Sequence, residues 1–60
     1  MATVYFWENN SWHKLATYTT EIAKKVISDL LMYHLLGVFE MCAVDTETGE
    51  VIASNHLSNL

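Results

Sequence analysis

Three histidines and one cysteine are the side chains of this 60-residue chain best suited to bind a metal ion or to act in catalysis. Neutral imidazole and thiolate are good zinc ligands, and a cysteine close to a histidine can form a nucleophile and its base. The spacing of His13, His34, Cys42 and His56 matches no known ligand pattern. Cys42 also lies in an apolar stretch, where a lone cysteine is usually a small buried hydrophobe. The sequence therefore predicts a protein that is not an enzyme and has no metal or cofactor site.

The acidic segment 45–50, DTETGE, resembles the start of a calcium-binding loop because its side chains supply oxygen ligands. The required glycine would have to fall at Glu50, and no glutamate follows where the loop should end. A solvated hairpin turn is the better interpretation.

Aromatic side chains give the clearest functional signal in the chain. Alternation along two predicted strands places Tyr5, Trp7 and Trp12 on one face of a hairpin. Aromatic platforms can stack on single-stranded bases, but such sites also carry basic groups along the nucleic-acid backbone. Only Lys14 is close, and the formal net charge of -4 disfavours binding to DNA or RNA. Since Trp and Tyr are enriched at the centres of protein interfaces, the face is predicted to contact a protein.

These aromatic residues depend on a predicted hairpin whose strands span residues 3–8 and 11–18. Asn9 and Asn10 between them tolerate the positive φ values of a two-residue turn. The predicted register places Trp7 opposite Trp12, Tyr5 opposite Lys14, and Val4 opposite Leu15, with Ala16 on the aromatic face.

A single helix is predicted over residues 20–36, between an N-cap at Thr19 or Thr20 and a left-handed residue at Gly37. Its apolar residues recur at helical spacing on one face. Near its end the helix becomes apolar on nearly all sides. We therefore expect Met32, Tyr33 and Leu36 to add to an interface.

A second hairpin is predicted from strands 38–45 and 50–57, with Val44 opposite Val51 and Gly49 in the turn. The expected fold is a single α+β domain in ββαββ order, in which one helix packs on one face of a four-stranded, mostly antiparallel sheet. The predicted core consists of Val4, Phe6, Leu15, Ile22, Val26, Ile27, Leu30, Phe39, Met41 and Ile52. Both faces of the sheet are mostly apolar, and one helix can cover only one of them.

Four acids of the second hairpin, Glu40, Asp45, Glu47 and Glu50, have two interpretations. They can serve solubility alone, or they can form a negative stripe that attracts a basic protein surface. No signal peptide or membrane-spanning segment is evident, and a single cysteine suits a reducing compartment. A cytoplasmic location is expected, which would be the host cytoplasm for a phage-encoded protein.

A small, acidic, cysteine-poor chain with one helix on a sheet resembles, as a class, phage-encoded inhibitors, including anti-CRISPR proteins and inhibitors of host polymerases. No shared motif supports transferring any residue's role. The leading hypothesis is a non-enzymatic binding module that blocks a basic, nucleic-acid-handling protein machine. The alternative is a homo-oligomeric structural or accessory subunit that buries its extra apolar face in self-association.

Overall fold

The computed structural model describes residues 1–57 and has the predicted α+β fold, with four strands and two helices. The elements in chain order are β1 (Ala2–Glu8), β2 (Ser11–Tyr18), α1 (Thr20–Ser28), α2 (Leu30–Leu36), β3 (Glu40–Asp45) and β4 (Val51–His56). The strands form one antiparallel sheet in the order β2-β1-β3-β4. The first strand of each hairpin is therefore central, and β2 and β4 are the edges.

The first hairpin closes through the two-residue turn that its asparagines predict. Asn9 and Asn10 have φ values of 54° and 63°, the left-handed conformation required at both central positions. The observed register pairs Trp7 with Trp12 and Tyr5 with Lys14, as predicted.

A β-bulge in each edge strand changes the rest of the predicted register. Val4 pairs with Ala16 and not with Leu15, so that Leu15 is the extra residue of β2. In the same way Ala43 pairs with Ala53 and Val44 with Val51, which leaves Ile52 as the extra residue of β4. Strict alternation predicts Ala16 on the aromatic face, whereas its pairing with Val4 places it on the face that packs against the helices. Bulges at sheet edges bend the strand and interrupt its pairing surface.

The predicted helical segment 20–36 is present, but Asp29 divides it into two helices. Asp29 has extended backbone angles, φ −87° and ψ 103°, and its side chain accepts a hydrogen bond from the Leu31 N–H at 3.0 Å. The same residue therefore ends α1 and caps α2. Aspartate favours this role because its short carboxylate competes for backbone N–H groups.

The break exposes a backbone carbonyl that Tyr33 then satisfies. In a continuous helix, the Leu31 N–H would donate to the carbonyl of Ile27. That N–H is used by Asp29, and the Tyr33 hydroxyl instead donates to the Ile27 oxygen at 2.7 Å. Tyr33 is 1% exposed and anchors α2 to the core, against which Leu36 also packs while partly buried.

Gly37 ends α2 in the left-handed conformation, with φ 69°. Its N–H donates to the carbonyl of His34, and the Val38 N–H donates to the carbonyl of Tyr33, which is the hydrogen-bond pattern of a Schellman motif. Val38 is buried as the apolar residue of this motif and does not belong to β3. The strand therefore begins at Glu40 rather than at residue 38.

The core lies between α1 and one face of the sheet, and α1 contacts all four strands. Its fully buried apolar residues are Ala2, Val4, Ala23, Ile27, Tyr33, Val38, Met41 and Ala43. Phe6, Leu15, Val26 and Ile52 pack against them while partly buried. Three predicted core residues are instead exposed: Ile22, Leu30 and Phe39. Leu30 is exposed because the break at Asp29 rotates α2 relative to the apolar face of α1.

Candidate protein-interaction surfaces

The sheet face opposite α1 is not covered by any part of the described chain, residues 1–57. Strand pairing arranges its side chains in two rows that cross all four strands, followed by two separate pairs. The rows are Thr17, Thr3, Val44 and Val51, and then Lys14, Tyr5, Cys42 and Ser54; the separate pairs are Trp7 with Trp12 and Glu40 with His56. The predicted aromatic face is therefore part of a larger surface to which all four strands contribute.

A depression of about 540 Å³ runs across this face. We call it the sheet-face groove; its lining residues are Tyr5, Trp12, Glu40, Cys42, Val44, Val51 and Ser54. Cys42 and Ser54 are directly paired on β3 and β4. Because both side chains are small and their neighbours on the same face are larger, the surface is lowest at this pair.

Trp7 and Trp12 form a cross-strand aromatic pair beside the groove. Their ring centroids are 5.2 Å apart and their planes are inclined at 71°, which is an edge-to-face arrangement. Exposure of 39% for Trp7 and 43% for Trp12 leaves much of both rings in contact with solvent. Both tryptophan rings are therefore accessible to solvent, whereas Tyr5 is partly buried.

Glu40 supplies the negative charge of the groove. Partial burial, with a smaller contribution from nearby Glu40, raises the pKa of the Cys42 thiol and keeps it neutral. The other lining residues are aromatic, aliphatic or hydroxylic. The groove therefore combines an apolar lining with one carboxylate.

The remaining acids of the second hairpin lie at its turn. The Asp45 carboxylate accepts hydrogen bonds from the backbone N–H groups of Glu47 at 2.8 Å and Thr48 at 3.1 Å, which lower its pKa. Asp45 therefore has a structural role in the turn. Glu47 and Glu50 are exposed there and do not line the groove.

The apolar end of the helical segment is exposed, but through different residues from those predicted. Tyr33 was predicted to contribute to an interface, but it is buried and therefore not available to a partner. Met32 and Leu36 are partly buried. The exposed residues, which we call the α2 patch, are Leu30, Leu31, Leu35 and Phe39, with exposures of 61%, 59%, 68% and 53%. The dipeptide Ser28-Asp29 before two leucines is a helix-start signal that could have revealed this rotation.

The three histidines lie on different elements, β2, α2 and β4, and β4 is paired with the strand that contains Cys42. His13 stacks on Phe6 with a centroid distance of 5.4 Å, and its Nε2 lies 2.9 Å from the Glu8 carbonyl oxygen. His34 is on α2, while His56 pairs with Glu40 at the sheet edge. Within residues 1–57, no group of three or more His, Cys, Asp or Glu side chains is placed to hold a metal ion.

None of the helices in the described part of the chain has the length and apolar character needed to span a membrane. Comparison with protein-family models, with curated proteins and with solved structures found no match to this chain. The functional argument therefore depends on the surfaces themselves.

Proposed function

We propose that this chain is a non-enzymatic binding module that uses its uncovered sheet face to occupy a basic surface of a larger protein. The observation that carries the proposal is the sheet-face groove, with Tyr5 and Trp12 beside Glu40. Aromatic residues bordering a desolvatable depression are typical of the energetic centre of a protein interface. A nucleic-acid-handling machine is the proposed target class, because its basic surface complements an acidic chain of net charge -4.

The size of the domain supports contact through one whole face. A standard protein interface buries about 800 Å² on each partner. The described part of the chain exposes 4153 Å², so such an interface would use about one fifth of its surface. Covering a partner's surface needs no catalytic group, and the module would act by excluding the partner's own ligand.

The exposed acids of the turn have a separate role in this proposal. Glu47 and Glu50 lie at the end of the β3–β4 hairpin and are not part of the groove lining. Charges at the rim of an interface act mainly on the association rate, and salt screens them over about 8 Å at physiological ionic strength. Reversing both charges should therefore slow association several-fold at low salt and leave the dissociation rate nearly unchanged.

Affinity capture with matched surface variants tests the proposal. Wild-type protein, a Tyr5→Ser/Trp12→Ser variant and a Leu31→Ser/Leu35→Ser variant are used as baits in lysate from the native source. Circular dichroism confirms that each bait is folded. A partner retained by wild type and by the leucine variant, but lost from the aromatic variant, supports binding through the sheet face. A partner that all three baits retain equally contradicts it.

Self-association is the second candidate function, and the exposed α2 patch favours it. Helix α2, LLMYHLL, contains no acidic or lysine side chain, so contact between two copies at α2 brings no like-charged side chains of this helix together. Analytical ultracentrifugation of wild type and Leu35→Glu from low to high micromolar concentration tests this candidate. A concentration-dependent dimer that the substitution abolishes supports it, and a wild-type monomer throughout excludes it.

A further inference from the structure

We propose that the sheet-face groove is a receptor for an arginine side chain of the partner protein, with Glu40 as its counter-ion and the Tyr5 and Trp12 rings as its apolar wall. This inference rests on the proposed function, since it names the chemical group that the sheet face recognises. It is argued from three properties of the groove: its shape, its charge and the position of its aromatic rings.

The shape suits a long, thin side chain. Glu40 and Val44 lie on β3 on either side of Cys42, two residues away in each direction. At about 3.3 Å per residue, their Cα atoms are roughly 13 Å apart. The small side chains of Cys42 and Ser54 between them leave a floor along which methylene groups can lie. One end of this path is aliphatic, at Val44 and Val51, and the other ends at the Glu40 carboxylate.

The charge selects a cation. With the thiol of Cys42 kept neutral, the carboxylate of Glu40 is the charged group of the groove lining. Lys14 belongs to the same sheet face, but β1 separates its strand from β3, so the backbones of these two strands are about 10 Å apart. His56, paired with Glu40 at the β4 edge, is the closer competitor for the carboxylate and is itself exposed.

The aromatic wall favours arginine over lysine. A guanidinium group is planar, stacks on aromatic faces and can donate two parallel hydrogen bonds to one carboxylate. Lysine presents a compact, strongly hydrated ammonium that gains less from such a wall. Tyr5 is on β1, the strand next to β3, and borders the same groove as Glu40, so a guanidinium stacked on its ring can pair with the acid. Trp12, on β2, extends the apolar wall of the groove.

The test uses three short peptides with identical neutral flanking residues and a central arginine, lysine or citrulline. Citrulline keeps the shape of arginine but has no charge. The peptides are titrated into uniformly ¹⁵N-labelled protein, and NMR shifts are followed for the backbone and for the indole N–H groups of Trp7 and Trp12. We expect the arginine peptide to bind with a Kd of about 1 mM, so titration extends to about 10 mM. Shifts should centre on the groove, and citrulline should bind at least five times more weakly.

Two variants that each remove one negative charge distinguish binding at a specific site from attraction to the net charge of the protein. Glu40→Gln should weaken arginine binding at least fivefold, whereas Glu47→Gln, at the exposed turn, should change it less than twofold. Trp12→Leu should also weaken binding, while Trp7→Leu, which is outside the groove lining, should have a smaller effect. The ¹⁵N spectrum of each variant establishes that the fold is retained.

Equal binding of the arginine and citrulline peptides, equal effects of Glu40→Gln and Glu47→Gln, or no groove shifts at about 10 mM peptide would each overturn the inference. Preference for the lysine peptide would overturn the choice of arginine. A captured partner that needs Tyr5 and Trp12 but is indifferent to Glu40→Gln would leave the proposed function intact and reject the arginine site. If the arginine peptide binds in the groove but the captured partner is retained equally by the Tyr5→Ser/Trp12→Ser variant, the proposed function is rejected and the arginine site is not.

Discussion

Removal of one hydroxyl, by the substitution Tyr33→Phe, tests the account of the helix break. The Tyr33 hydroxyl donates to the Ile27 carbonyl at 2.7 Å, and both residues are almost fully buried. Phenylalanine keeps the ring and its packing but leaves this carbonyl without the donor that replaces the lost helical hydrogen bond. An unsatisfied buried polar group costs about 1–3 kcal/mol, so the free energy of unfolding should fall by that amount.

This loss is large for so small a domain. At about 0.05–0.15 kcal/mol per residue, a chain of this length has a total stability of about 3–9 kcal/mol. Each kcal/mol shifts the Tm of a domain of this size by about 4–8 °C, so a decrease of about 4–24 °C is expected. Urea denaturation followed by circular dichroism measures the change directly, with an unchanged m-value showing that the unfolded state is not altered.

Tyr18→Phe is the matched control. Tyr18 is partly buried against the same core, but its hydroxyl makes no hydrogen bond to any side chain or backbone group within residues 1–57. Its loss should change the free energy of unfolding by about 0.5 kcal/mol or less. Equal denaturation midpoints for wild type and Tyr33→Phe, or an equal loss in Tyr18→Phe, would refute the reasoning.

The pH dependence of the same pair gives an independent check. Burial raises the pKa of the Tyr33 phenol above its ordinary value of 10.0, with the neighbouring Asn55 side chain acting in the opposite direction. A raised folded-state pKa means that the stabilisation is fully present below pH 10.0 and is lost as the pH rises through the folded value. The stability advantage of wild type over Tyr33→Phe should therefore shrink at alkaline pH.

Three further predictions address the core, the turn and the groove. Ile27→Ala should lower the free energy of unfolding by about 2–5 kcal/mol because Ile27 is buried. Leu30→Ala should lower it by about 0.5 kcal/mol or less because Leu30 is exposed. Denaturation curves of the two variants and wild type measure both changes. Backbone N–H donors lower the pKa of Asp45, so the carboxylate stabilises the folded state above pH 3.8, the ordinary pKa, and this stabilisation is lost as the pH falls through the lowered pKa. The stability difference between wild type and Asp45→Ala should therefore vanish at acid pH. Because partial burial and Glu40 raise the pKa of Cys42, iodoacetamide should alkylate this thiol more slowly at neutral pH than free cysteine; Glu40→Gln should accelerate alkylation, as followed by mass spectrometry.

Local residue chemistry was sufficient to predict the turns and the main strand pairs. Asn9 and Asn10 at positive φ, and Gly37 and Gly49 in left-handed conformations, occupy the positions where their backbone freedom is required. Once the two-residue turn is placed, the pairing of Trp7 with Trp12 follows from geometry. The fold class follows in turn, since two hairpins with mostly apolar faces and one helical segment can bury their surface as a helix on a sheet.

The bulges and the helix break, which the sequence did not predict, are decided by competition between local and tertiary interactions. Alternation cannot reveal the bulges at Leu15 and Ile52, because an extra residue in an edge strand is stabilised by packing against the core. Helical periodicity could not distinguish one helix from two, since Asp29 fits both the polar face of a long helix and the cap of a short one.

By itself, the sequence therefore determined the hairpins, their turns and the aromatic composition of one sheet face, because these depend on neighbouring residues and on a two-residue period. Only the tertiary structure decided that Tyr33 belongs to the core while Leu30, Leu31 and Leu35 face solvent. That outcome depends on the direction of α2 after the break, which is set by the burial of one ring and its hydrogen bond to Ile27. The sheet-face groove likewise depends on pairing between different hairpins: Tyr5, Cys42 and Ser54 become neighbours only when β1 and β3 join at the centre of the sheet.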